Sequence, residues 1–315
     1  MRALDSLAQQ TYPRERFEIL VMDNGCQDET RHACRELGER LPNLLYLLNP
    51  TPGLHSCRHL GLRQARGEIV TFGDDDIRAF PAWLEGVNEA FADPLVGLVG
   101  GKVLPEYEVP PPAWVDRLWR WQEGGRVLGA YSLVDMGDHP REVPPGVVFG
   151  CNYSVRRDLA VELGGFNPDG FPRELIKYRG NGEVALGRNI RERGHKIFYH
   201  PGASVYHFVS ADRLTREYLA WRRFIEGISN SYTDIRRAGK LSASDLLSMW
   251  IKYLLGLVMN FHDPLALRCL RSYHRGYLYH RSQVRRDPFL QDWVLKPNYW
   301  EGNFIAQGNV NWTPF

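Results

Sequence analysis

Three consecutive carboxylates, Asp74, Asp75 and Asp76, follow the apolar run Ile69 to Phe72 and a glycine, Gly73. Like charges that close repel one another, and at the end of a buried strand each is partly desolvated. A bound divalent cation relieves that cost, and hard oxygen ligands suit Mg2+ or Mn2+. The alternative is an acidic cap for a helix starting near Pro81, with its charges solvated. Gly73 favours the metal, because it removes side-chain bulk where a ligand would approach. Mg2+ held by one or two carboxylates completes its shell with phosphate oxygens and water. Neither a G-x-x-x-x-G-K-S/T loop nor a G-x-G-x-x-G after a strand occurs, which takes most of the support from ATPase and dinucleotide-dehydrogenase chemistry.

Such a cluster needs a strand to carry it, and the pattern supplies several. Phe17 to Met22 and Leu44 to Leu48 read as strands, as does Glu68 to Phe72, which runs into the acidic triplet. Helical segments over 2–10, from Asp28-Glu29-Thr30 to about Leu41, and over 54–66 alternate with them. That alternation predicts a parallel sheet covered by helices, with ligands beyond the carboxyl ends of the strands. Asp23-Asn24 and the triplet fall at two such ends. Further on, Pro-rich stretches bracket a Trp-rich segment (Trp114, Trp119, Trp121), expected as a helix in an insertion over one face. Strands are expected at 146–155, 196–199 and 203–207, and helices at 157–163 and 183–193. From Leu214 the pattern is helical and basic-aromatic, and it ends in a polar tail from Trp300.

Composition narrows the class. The 315 residues are 43% hydrophobic and 24% charged, which fits a folded globular chain. With 39 Lys plus Arg against 37 Asp plus Glu, there is no electrostatic case for nucleic-acid binding. Five cysteines without a C-x-x-C pair argue against a disulfide framework or a zinc ribbon, so a cytoplasmic location is expected. The apolar stretch Leu246 to Phe261 is interrupted by Ser248, Lys252, Gly256 and Asn260, and falls short of a membrane span. A buried or membrane-surface helix is the expectation there, with burial the favoured of the two, and peripheral membrane contact through the basic-aromatic segments is also left open.

The order of motifs resembles one large family. Ser6 to Pro13 (SLAQQTYP) and Phe17 to Gly25 look like the start of the inverting, cellulose-synthase-like glycosyltransferases of family 2. Cys57 to Gly61, Ala65 to Glu68, Phe72 to Asp76, Gly150 to Asn152, Gly164 to Phe166 and Tyr199 to His207 follow in the family's order. The resemblance covers roughly the first two-thirds of the chain. It implies a GT-A fold, a Rossmann-like α/β architecture with a mostly parallel sheet flanked by helices. The glycosyltransferase domain is expected at 1–212 with an insertion around 103–145, followed by a helical extension at 213–315. It also implies transfer of a sugar, with inversion, from a nucleotide-sugar donor to a glycan, lipid-linked or small-molecule acceptor.

Roles follow position by position from that resemblance. Asp23 and Asn24 match residues that contact the nucleobase and ribose, and Arg58 a basic residue near the nucleotide. Asp74 and Asp76 match the metal-binding D-x-D motif, with Asp74 and Asp75 beside the nucleotide-sugar. Glu183 stands where the family places its general base, as the only acid of Arg179 to Gly187. His207 matches a histidine near the metal or diphosphate and is the third metal-ligand candidate. Taken singly, each also has a plain structural reading. Asp23 is then a turn former, Arg58 a solvated helix charge, Glu183 a first-turn helix acid, and His207 a satisfied core residue.

The family pattern also begins with a strand resembling V-S-V-I-I-P-T-Y-N-R, whereas this sequence starts inside the helix that follows. Either the gene start lies upstream or the chain is a truncated remnant, and weak stability and weak donor binding are expected. Cys26, Cys57 and Gly73 replace more usual residues. Two rival functions remain at this stage: an inactive nucleotide- or glycan-binding relative, and a nucleotidyltransferase.

Overall fold

The computed structural model describes residues 2–25, 29–122 and 124–300. Cys26, Asp28 and the polar tail beyond Trp300 lie outside the described residues. The chain forms two compact units, one of residues 2–167, 183–209 and 298–300, the other of 168–182 and 210–297. Residues 168–182, ahead of the boundary expected at 212, thus group with the helices.

The first unit begins α1 (Arg2–Leu7), β1 (Ile19–Asp23), α2 (Thr30–Gly38), β2 (Leu44–Leu48), α3 (Leu54–Gln64) and β3 (Ile69–Gly73). It continues β4 (Ile77–Ala79), α4 (Trp83–Ala90), β5 (Val96–Gly100) and β6 (Val103–Tyr107). The insertion holds α5 (Ala113–Asp116), β7 (Arg120–Gln122), β8 (Gly125–Leu128), β9 (Leu133–Asp135) and β10 (Arg141–Glu142). Then come β11 (Asn152–Arg156), α6 (Arg157–Glu162), α7 (Glu183–Glu192), β12 (Lys196–Tyr199) and β13 (Val205–Val209).

These strands build three sheets, ordered β1-β2, β10-β12-β5-β11-β3 and β4-β13-β6-β9-β8-β7. Pairing is mixed: β1 runs parallel to β2, β5 to β12 and β6 to β13, while β11 is antiparallel between β3 and β5. β5, an unbroken apolar run apart from its glycines, is buried throughout, as a central strand covered on both faces must be. β1 and β2 form their own two-stranded ladder, separate from the edge strand β3, and their residues are mostly half-buried.

The Trp-rich segment departs from expectation. Only Ala113–Asp116 is helical, and Trp121 sits in β7, 78% exposed. The Gly124-Gly125 pair explains this: Gly124 has φ +86°, and Gly125 starts β8, so the chain turns back into a hairpin. Strands β7, β8 and β9 of the insertion therefore extend the third sheet, while β10 edges the second.

The second unit carries α8 (Arg216–Ala238), α9 (Ala243–Met259), α10 (Pro264–Arg286) and α11 (Pro288–Leu295). Thr215, Ser242, Asp263 and Asp287 cap their N-termini through side-chain oxygens, the hydroxyl and carboxylate capping that stops helices fraying. Among the described residues no helix is long and apolar enough to cross a membrane.

Candidate active site and family

The acidic triplet occupies the turn between β3 and β4. β4 then pairs antiparallel with β13, and the register sets Ile77 opposite His207. One residue before Ile77, the Asp76 carbonyl accepts the Phe208 N–H at 2.9 Å. That ladder brings a histidine 131 positions away onto the triplet: His207 Nε2 stands 3.2 Å from Asp76 Oδ1. One ligand atom each from Asp74, Asp76 and His207 lie within 4.8 Å of one another.

The donor set fits a divalent cation. His207 Nδ1 lies 2.9 Å from the Tyr131 carbonyl, which requires that nitrogen to carry the proton. In the neutral ring Nε2 is then a lone pair facing a carboxylate oxygen, and only a proton or a cation reconciles the two. A metal-bound histidine characteristically fixes its other nitrogen on a carbonyl in this way. Burial pushes the Asp74 carboxyl up to about 6, opposed by the Arg58 guanidinium and reinforced by Asp76. Three such ligands, two hard oxygens and an imidazole, suit Mg2+ or Mn2+. Asp75, by contrast, is exposed and is not one of the three.

Gly73 serves a different end from the one expected. A Cβ there would stand 2.7 Å from Ile77 Cδ1 and 3.6 Å from the Trp83 ring, so the space holds core side chains rather than ligand.

Beside the triplet, Arg58 from α3 pairs with Glu183, the first residue of α7. Arg58 Nη1 lies 3.1 Å from Glu183 Oε2, and the Gly150 N–H donates to Oε1 at 3.2 Å. Glu183 is thus fixed at both oxygens, and two of a carboxylate's roughly four acceptor directions are used. The Cys151 thiol, buried and surrounded by Asp74, Asp76 and Glu183, is pushed well above its ordinary range and stays neutral.

Asp23 and Asn24 have other partners. Asp23 Oδ2 accepts the Tyr46 hydroxyl at 2.6 Å and Oδ1 accepts the Gly25 N–H at 2.8 Å. Asn24 donates to the carbonyls of Asn49 and Thr51 at 3.0 and 2.6 Å. These bonds hold the loop at the end of β1 against the loop at the end of β2.

Two contributors carried no assigned role in the sequence reading. Tyr131 acts through its carbonyl, which no side-chain pattern announces. Asn152 is a hub: its Oδ1 accepts the Trp83 indole N–H and its amide donates to the Ala203 carbonyl, both at 2.9 Å. It lay inside the Gly150 to Asn152 motif, which was its only signal.

Residues 1–149 match the model of glycosyl transferase family 2. The match spans just under half of the chain, which is similar to this family over that stretch. Asp23, Arg58 and the triplet lie inside the family 2 stretch, while Glu183 and His207 come from the residues after it. Among curated proteins, the chain is 24% identical over 233 residues to a glucosyl-dolichyl phosphate glucuronosyltransferase of Haloferax volcanii, covering 74% of this chain and 71% of the relative. It is 28% identical over 200 residues to the glycosyltransferase AglE of the same organism, covering 63% of this chain and 59% of that one. Among solved structures, S. aureus TarS 1–349 in complex with UDP-GlcNAc aligns at a TM-score of 0.49 and 14% identity, over 89% of this chain and 87% of that one.

Proposed function

We propose that the protein is a metal-dependent, inverting glycosyltransferase of GT-A type, using a nucleotide-sugar donor for which UDP is the favoured carrier. The observation that carries this reading is the convergence of Asp74, Asp76 and His207 within 4.8 Å of one another, with Glu183 fixed beside them. Mg2+ or Mn2+ on the three ligands would offset the charge that grows on the departing diphosphate. Asp23 and Asn24, at the end of β1, are the residues assigned to the nucleobase and ribose in this reading.

Inversion by a single displacement requires the acceptor hydroxyl to lose its proton as it attacks. Glu183 is the group for that proton, and its free acceptor directions are what an incoming hydroxyl would use. Arg58 keeps the carboxylate oriented. A lipid-linked acceptor is favoured by the relative whose name includes glucosyl-dolichyl phosphate. Glycan and small-molecule acceptors remain within the same chemistry.

A second reading takes the Arg58–Glu183 ion pair as the mark of an inactive nucleotide-binding relative, its base already occupied. One experiment separates the two. The protein is incubated with a panel of nucleotide-sugars, Mn2+ and a polyprenyl-phosphate acceptor, and product is followed by NMR. Metal-dependent product with an inverted anomeric centre is expected. Product with retention, or formed equally in excess chelator, contradicts the proposal; donor binding without product selects the inactive reading.

A further inference from the structure

Helix α9 turns its apolar side outward. Among its apolar residues Met249 alone is buried. Leu247, Ile251, Leu254, Leu255, Val258 and Met259 are exposed, the last two at 72% and 74%. At 100° per residue these six fall within an arc of about 140°, a continuous face. Phe261 extends it, 73% exposed. A soluble monomer rarely leaves such a patch uncovered.

The surroundings of the patch are cationic. No carboxylate occurs between Asp245 and Asp263, and Lys252 is exposed on α9 itself. On α10, His274 stacks on Tyr253 of α9 at 4.0 Å, and Leu270 lies against Gly256. Arg271 and Arg275 each follow one of these seam residues, about 100° round α10, and both are exposed. Apolar face and exposed arginines on the adjoining helix together have the charge pattern of a helix that lies in a lipid interface. A symmetric dimer through this face would carry the same cations on both copies of the contact, with no carboxylate on α9's face to meet them.

We propose that α9 is a membrane-contact helix, seated in the interface of an anionic bilayer with Leu254 and Val258 among the acyl chains and Arg271 and Arg275 on lipid phosphates. No described helix can span a bilayer, so the contact is lateral. The proposal does not rest on the transferase reading, because it concerns the unliganded chain and lipid alone.

Flotation without nucleotide or metal tests it, using vesicles of phosphatidylcholine and of an equimolar phosphatidylcholine–phosphatidylglycerol mixture. Wild type is expected to float with the mixture and less with phosphatidylcholine. The pair Arg271→Glu and Arg275→Glu should weaken binding to the mixture by about tenfold or more. The pair Leu254→Asp and Val258→Asp should abolish it, with unchanged far-UV circular dichroism because all four positions are exposed. A wild type that does not float, no preference for the anionic mixture, or variants that float unchanged overturns the proposal. So does a concentration-dependent dimer that the Leu254/Val258 variant loses, since a second copy then covers the face.

Discussion

Arg58 and Glu183, 125 positions apart in sequence, form an ion pair at 3.1 Å with side chains only 5% and 19% exposed. The pair joins α3 to the start of α7 and sets the orientation of the proposed base. Arg58 also lies over the Phe166 ring at 5.1 Å, so both its charge and its plane are engaged. A charge pair this well buried is fixed in place, because losing either partner strands the other away from water.

Glu183→Gln follows from that geometry as a test of the base. The amide keeps the size and an oxygen for Arg58 but cannot take a proton. Turnover should fall by about 10²-fold or more while donor affinity stays within a few-fold. Steady-state kinetics with a donor titration checks this, and unchanged turnover at saturating acceptor places the base elsewhere. Arg58→Met, by contrast, leaves Glu183 unpaired and should lower unfolding free energy by roughly 3 kcal/mol, read from urea denaturation.

Helices α8 and α10 cross on two glycines. A Cβ on Gly276 would stand 1.9 Å from the Phe224 carbonyl oxygen, and one on Gly227 would stand 2.1 Å from that of Tyr273. Both obstacles are backbone and cannot swing aside. Alanine gains about 1 kcal/mol of helix propensity over glycine, yet Gly276→Ala should destabilise by about 1–3 kcal/mol, because overpacking outweighs propensity. A urea midpoint equal to or above wild type would show that the helices can part at no cost.

Two buried histidines, one in each unit, set an acid limit. His59 accepts the Phe166 N–H at 2.8 Å, and its other nitrogen lies 3.2 Å from the Tyr299 carbonyl. Burial, reinforced by His55, holds its pKa down at about 3. Burial and then Arg281 hold His280 at about 3 as well. Both lie below the ordinary 6.5, so the unfolded chain takes up protons that the native one refuses. Stability from these groups is full above about pH 6.5 and declines as pH falls toward 3, by up to about 1.4 kcal/mol per pH unit for each histidine. Urea midpoints should therefore be lower at about pH 5 than at about pH 7.5; equal midpoints contradict the assignment.

The elements most legible in the sequence are those whose boundaries are local. β2 at Leu44–Leu48 and β12 at Lys196–Tyr199 coincide with apolar runs closed by turn residues, and α7 opens at Glu183 after Gly182. Trp119 and Trp121 misled because aromatic spacing alone does not separate a helix from a hairpin, and the glycine pair after them decided it. The approach of His207 to Asp76 depends on the β4–β13 register, and the Arg58–Glu183 pair on how α3 and α7 meet. Neither lies in any local pattern. From its composition α9 was expected either buried or on a membrane surface, with burial favoured. Its exposed face shows that an apolar stripe says what must be covered, not by what.

In the proposed function Asp74, Asp76 and His207 bind the cation that a nucleoside diphosphate requires. Isothermal titration of UDP into the protein, with Mn2+ and with excess chelator, tests it in wild type and in Asp76→Ala. Mn2+-dependent UDP binding is expected in wild type, weakened by about tenfold or more in the variant as a metal ligand and its charge are removed. UDP binding of equal strength in chelator, or in Asp76→Ala with Mn2+, would contradict it.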